Sequence, residues 1–87
     1  MARVTMPLLF EQFTGGERHR EVSGASLAEV IGELDKAYPG IASSIVTGGR
    51  LAPIIKVTID GKLAVRGLDS PVASTSEVCL LPSMGGG

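Results

Sequence analysis

Apolar and polar residues alternate at the start of the chain, where Val4, Met6 and Leu8 are interleaved with Arg3, Thr5 and Pro7. That period of two predicts a strand over residues 3–8 with one buried face. Thr14-Gly15-Gly16-Glu17 is a turn sequence. Arg18 to Ser23 is expected to return as an antiparallel partner, with Arg18, Arg20 and Val22 on one face and His19 and Glu21 on the other. The period then changes. Leu27, Val30, Ile31, Leu34 and Tyr38 are three or four residues apart, which places them on one face of a helix. Ser26-Leu27-Ala28-Glu29 forms a capping box at its start, where serine and glutamate side chains each take an orphan backbone N–H, and Pro39-Gly40 ends it. Gly32 inside the helix costs about 1 kcal/mol relative to alanine. A close approach of helix to sheet at that point is the expected compensation. Ile41 and Ile45 fit one further turn, followed by a flexible Thr47-Gly48-Gly49-Arg50.

Alternation resumes with Ile55, Val57 and Ile59 against Lys56, Thr58 and Asp60, and Asp60-Gly61 is a favoured tight-turn pair. Lys62 to Arg66 is the expected return strand. Ser70-Pro71-Val72 and Ser74-Thr75-Ser76 mark a loop, and Glu77 to Leu81 supplies a final strand. If Val78 and Leu80 point to the core, Cys79 and Leu81 point to the opposite face of the sheet. Pairing that strand in parallel beside the first, with the helix as crossover, sets both in the centre of a mixed sheet.

With 87 residues there is room for one domain. Eight Lys and Arg stand against nine Asp and Glu, and no basic run could follow a phosphate backbone, so nucleic acid is not an expected partner. The hydrophobic fraction of 44% is high for a small soluble domain, yet no apolar run approaches the ~20 residues of a membrane span. Part of that surface is expected to face a partner protein. The N-terminus carries no secretion pattern, and the lone Cys79 allows no internal disulfide; both fit a reducing cytoplasm.

The chain ends on Gly85-Gly86-Gly87, directly behind the last strand. Residues without a Cβ can thread a narrow channel, lie against a partner's backbone and bring a carboxylate to a reactive phosphate. The competing reading is a frayed terminus.

The ordered set of these pieces resembles the ubiquitin-like sulfur-carrier proteins of the ThiS/MoaD family. It comprises the early hairpin, Ser26 to Ile31 leading to Leu34 and Tyr38-Pro39, Ile55 to Gly61, and Glu77 to Pro82 running into the terminal glycines. Within the family, Thr14-Gly15-Gly16 and the long segment between helix and third strand are most similar to the mycobacterial-type carriers of cysteine synthesis. The resemblance implies an α+β, ubiquitin-like β-grasp fold: a mixed sheet of four to five strands on one main helix over residues 1–82, and a flexible tail over 83–87. It also implies a function. An E1-like adenylyltransferase would activate the C-terminal carboxylate of Gly87 with ATP, and a sulfur donor enzyme would convert it to a thiocarboxylate. An acceptor synthase would then take the sulfur into a metabolite or cofactor. The family pattern has two terminal glycines; Gly86 and Gly87 match that pair, which leaves Gly85 as a substituted neighbour.

The chain itself has no P-loop, no dinucleotide fingerprint and no set of metal ligands, so it reads as a protein substrate with no catalytic residue and no bound cofactor. Leu81, Met84 and Cys79 are the docking candidates around the tail. Cys79 lacks nearby positive charge in sequence to favour a thiolate, so a structural or partner-facing thiol outranks catalysis. His19 reads as solvated, and Glu29, Glu33 and Asp35 as a solvated helix face. Two other readings of the tail are a protein modifier joined to target lysines and the small subunit of molybdopterin synthase. A third is an interaction domain whose tail is inert.

Overall fold

The computed structural model describes residues 1–83. Strand β1 (Ala2–Thr5) pairs antiparallel with β2 (His19–Val22), placing Val4 opposite Arg20 and Thr5 opposite His19. The ladder continues one residue past β1, where the Met6 N–H bonds the Arg18 carbonyl at 2.8 Å. It stops at Pro7, which has no N–H to donate. The chain turns there into a short 3-10 segment (Leu8–Phe10) and a single turn of helix, α1 (Glu11–Thr14). Val4 and Met6 are buried as their spacing predicts, but Leu8 is not: it is 62% exposed, and Phe10 fills the core instead.

Helix α2 (Leu27–Ala37) buries the apolar stripe of Leu27, Val30, Ile31 and Leu34, with Tyr38 closing its C-terminal end. Its capping box is displaced by one residue on one side. The Ser26 hydroxyl accepts from the Glu29 N–H as expected, while the Glu29 carboxylate takes the N–H of Ala25, one residue before the cap, at 2.8 Å. The expected close approach at Gly32 does not exist. Gly32 is exposed and a Cβ there would meet nothing within 4 Å. The tight crossing is at Gly24, between β2 and α2, where φ is +148° and a Cβ would come within 2.9 Å of the Val30 backbone nitrogen. Gly32 is thus a surface helical glycine, and its cost has no packing compensation.

Ile41 and Ile45 do form a further turn, α3 (Ile41–Ile45), and both are fully buried. The segment after it is ordered. β3 (Val46–Thr47) and β4 (Arg50–Leu51) make a small hairpin, and Gly48 and Gly49, at φ +60° and +78°, form the two-residue turn between them. Two consecutive positive φ values are what such a turn needs to match the strand twist. β5 (Ile55–Ile59) then turns at Asp60-Gly61 into β6 (Lys62–Leu63). The return strand is two residues long, where five were expected. The ladder continues for one more bond, from the Ala64 N–H to the Val57 carbonyl at 2.9 Å; then the chain leaves the sheet, the Val65 N–H turns back onto the Leu63 carbonyl, and a 3-10 turn follows at Gly67–Asp69.

The last strand, β7 (Glu77–Pro82), lies parallel to β1 and antiparallel to β5, giving the order β2-β1-β7-β5-β6. The five-stranded mixed sheet carries α2 on one face, which is the β-grasp arrangement. Asp60 fixes the start of β7: its carboxylate accepts from the Ser76 hydroxyl at 3.0 Å and from the Glu77 N–H at 2.9 Å. Those bonds hold Asp60 at φ +53°, the single positive φ outside glycine among the described residues. Between the sheet and α2 lies one apolar core, containing Val4, Leu27, Leu34, Ile45, Val57 and Leu80 among others.

Candidate functional site

Along β7 the faces alternate. Val78 and Leu80 are buried at 0% and 1% exposure, while Leu81 on the opposite face is 42% exposed and Cys79 is half-buried. The strand registers define what surrounds them on the face turned away from α2. Cys79 is flanked by Thr5 on β1 and Thr58 on β5, Thr5 is opposite His19, and Thr58 is opposite Leu63. One row of side chains therefore crosses all five strands: His19, Thr5, Cys79, Thr58 and Leu63. The Thr5 hydroxyl and the Nδ1 of His19 are 3.2 Å apart, which engages an imidazole that remains exposed, as expected for it. Toward the start of β7 a charged row runs beside this one, with Arg3 between Glu21 and Glu77.

Toward the end of β7, Leu81 stands opposite Lys56 and Pro82 opposite Ile55. Pairing continues to Ser83, whose N–H donates to the Ile54 carbonyl at 2.7 Å. The path of the chain is therefore held by hydrogen bonds up to residue 83. Beside that exit lies a cleft of about 270 Å³ lined by Thr5, Pro7, Leu8, Arg18, Leu81 and Pro82. Arg18 is anchored in it through its Nε, which donates to the Met6 carbonyl at 3.2 Å.

Leu8, an exposed neighbour of Leu81 in this cleft, is the residue that sequence reasoning assigned to the core. The usable signal was Pro7, which cannot continue a paired strand. Leu63 was missed because its alternation looks like that of any return strand. Met84, Gly85, Gly86 and Gly87 lie outside the described residues. Among the described residues, no three His, Cys, Asp or Glu side chains gather to hold a metal ion, and no helix is long and apolar enough to cross a membrane.

A second polar cluster ties the β2 hairpin to the end of α2. The Tyr38 hydroxyl donates to the Glu17 carboxylate, and Arg20 pairs with the same carboxylate at 3.6 Å. The Arg20 guanidinium lies 5.4 Å from the centre of the Tyr38 ring. Burial, then the hydrogen bond to Glu17, pushes the Tyr38 phenol above its ordinary pKa range.

The ThiS family model matches residues 9–87, nearly the whole chain. The chain belongs to the ThiS family. Its curated relatives include the sulfur carrier protein CysO of Mycobacterium tuberculosis, 29% identical over 90 residues that cover 97% of this chain and 96% of the relative. The fold of this ThiS-family chain superposes on CysO in the crystal structure of the Amycolatopsis orientalis BexX/CysO complex, with a TM-score of 0.92, 27% identity and full coverage of both chains. Mycobacterium tuberculosis CysO, with a TM-score of 0.89 and 27% identity, covers 97% of this chain and 100% of its own length. The expected α+β, ubiquitin-like β-grasp architecture is the one found, with five strands in the main sheet and one long helix across it.

Proposed function

We propose that this chain is a sulfur carrier and that Gly87 is the residue that carries the sulfur. The reading rests on one observation above others: the ThiS family match extends over residues 9–87 and so includes the terminal glycines. A carboxylate is a poor electrophile, because oxide is a poor leaving group and the negative charge repels nucleophiles. In the proposed cycle, an oxygen of the Gly87 carboxylate attacks the α-phosphorus of ATP bound by an E1-like adenylyltransferase, and pyrophosphate departs. Hydrosulfide from a sulfur donor then attacks the acyl carbon and AMP leaves, so that Gly87 ends as a thiocarboxylate. With an enzyme persulfide as donor, the first product is an acyl disulfide, and a thiol must reduce it to release the thiocarboxylate. An acceptor synthase takes the sulfur.

In this reading residues 1–82 are the recognition domain and 83–87 the delivery arm. Gly85 and Gly86 make the arm thin enough to enter a partner's channel. The chain is a co-substrate with no catalytic residue of its own, and the only nucleotide is the one the activating enzyme binds. Leu81, with Leu8 beside it, supplies the apolar contact at the root of the arm; Cys79 is half-buried on the same face, and Met84 is a further docking candidate by its position in the sequence. That a CysO has been crystallised in complex with BexX supports docking of a carrier of this fold on a partner protein.

The test is the intact mass of the protein after incubation with ATP, a sulfur source and its adenylating enzyme, beside a sample without ATP. A shift equal to exchange of one oxygen for sulfur, lost on deletion of Gly86-Gly87, is the expected result. Isopeptide adducts on target lysines that survive denaturation, with no such mass shift, would replace the carrier by a protein modifier.

A further inference from the structure

The sheet ends at β6, and beside that edge lies a second cleft, of about 230 Å³, on which the tail chemistry makes no demand. Leu63, Val65 and Pro71 give it apolar walls; Lys62, Arg66 and Ser70 supply its polar groups. Three features of these residues are unexplained by the fold. Leu63 and Val65 are 59% and 89% exposed, two large aliphatic side chains left side by side in solvent at one sheet edge. Lys62 and Arg66 are exposed and belong to neither of the two ion pairs among the described residues, Arg20 with Glu17 and Lys36 with Glu33. The nearby Asp60 carboxylate is already engaged by Ser76 and Glu77. Ser70, finally, is 4% exposed, and its hydroxyl is the buried side-chain polar atom with no hydrogen-bond partner among the described residues. A buried hydroxyl is nearly always paired, so an unpaired one on a residue at the wall of a cleft points to a missing polar partner.

We propose that this edge cleft is a docking site for an acidic, apolar segment of a partner protein. Carboxylates of the segment would face Lys62 and Arg66, an aliphatic side chain would cover Leu63 and Val65, and a polar group would supply the partner that Ser70 lacks. A free inorganic anion satisfies the two cations but leaves the apolar walls uncovered, which is why a peptide segment fits better.

The position of the cleft gives it a use. β5 begins at Ile55, opposite Pro82 and the root of the tail, and ends at Ile59, opposite Val78 and beside Lys62. Cleft and tail root thus sit at opposite ends of the sheet, about 13 Å apart along the strand. A partner seated on the edge leaves the tail root open. Engagement of the edge would convert entry of the tail into an intramolecular event at raised effective concentration.

Binding of a short capped peptide alternating glutamate with leucine and valine to the isotope-labelled full chain, followed by NMR, tests the site without any sulfur chemistry. Amide shifts confined to residues 62–72 are expected. K62E together with R66E should weaken binding at least about fivefold, from loss of two exposed charge pairs. The same peptide with lysine for glutamate should then prefer that variant. Ser70→Ala should also weaken binding without lowering the denaturation midpoint, which separates a ligand contact from a packing role. Several outcomes overturn the proposal: shifts centred on Cys79 and Leu81, affinity indifferent to charge reversal, the same shifts from inorganic phosphate alone, or concentration-dependent shifts at the cleft from self-association without peptide.

Discussion

Tyr38 shows how one residue can be read correctly for position and incompletely for chemistry. Its helical spacing from Leu34 and Ile31 places it in the core, and it is buried. What the spacing omits is the hydroxyl, which reaches across to Glu17, 21 positions earlier in the chain, under the guanidinium of Arg20. Only tertiary structure brings those groups together. Because the folded-state pKa of Tyr38 is raised, the neutral phenol is the form the fold favours. Its contribution is therefore complete below the unfolded value of about 10 and is lost as pH rises through the higher folded value. Tyr38→Phe should lower stability at neutral pH by about 1 kcal/mol and flatten the fall in stability above pH ~10, measured as urea midpoints across alkaline pH. Glycines show the same limit. Gly24 and Gly32 are indistinguishable by composition, yet only Gly24 has a neighbour that excludes a Cβ, and that neighbour is a backbone atom of the following helix.

At the scale of elements, legibility followed the strength of the local pattern. The capping box with a five-residue apolar stripe, and the Ile55, Val57, Ile59 alternation before Asp60-Gly61, are signals that tertiary context had no reason to override. The failures occur where one residue changes the path. Pro7 ends β1 and turns Leu8 outward, and the chain leaves the sheet after Ala64 although Lys62 to Arg66 alternates well enough to continue. In both places the cost of an exposed aliphatic side chain falls at a surface that a partner can cover. Parity along β7 was readable because burial on one face dictates register. It leads to a direct test. Leu81→Glu should leave the unfolding free energy within about 0.5 kcal/mol of the parent. Steady-state adenylation should show its KM raised about tenfold, as for loss of an interface anchor. A similar rise for a substitution of the exposed Ala28 on α2 would remove the special role of Leu81.

For the molecule as a whole, β7 is the element on which fold and candidate site converge. Its inner face closes the core, its outer face carries Cys79 and Leu81, and the ladder with β5 continues beyond its end to Ser83. Two adjacent leucines should therefore behave very differently. Leu80→Ala, at 1% exposure, should cost about 2–5 kcal/mol in chemical denaturation. Leu81→Ala should change stability by less than about 0.5 kcal/mol. Equal losses at the two positions would mean that the strand is not held in this register. The central pairing of the last strand with the first was legible because a helix crossover between them allows few arrangements of so short a chain, and the resemblance to the sulfur carriers supplied the fold class. The surroundings of the candidate site were not, since Leu8, Leu63 and Leu81 come from three distant parts of the sequence.

The strand order also fixes a sequence of events in time. Without β7, the hairpin of β1 and β2 and the hairpin of β5 and β6 have no backbone ladder between them. Yet β7 is the last strand to be synthesised among the described residues, and its pairing with β1 spans more than seventy residues of chain. Contacts that distant form late, after the entropy of closing the intervening loop has been overcome. The sheet is completed by the segment that leads into the glycines, so a partner that reads Leu81 and the path of Ser83 meets them in register only on a chain that has finished folding.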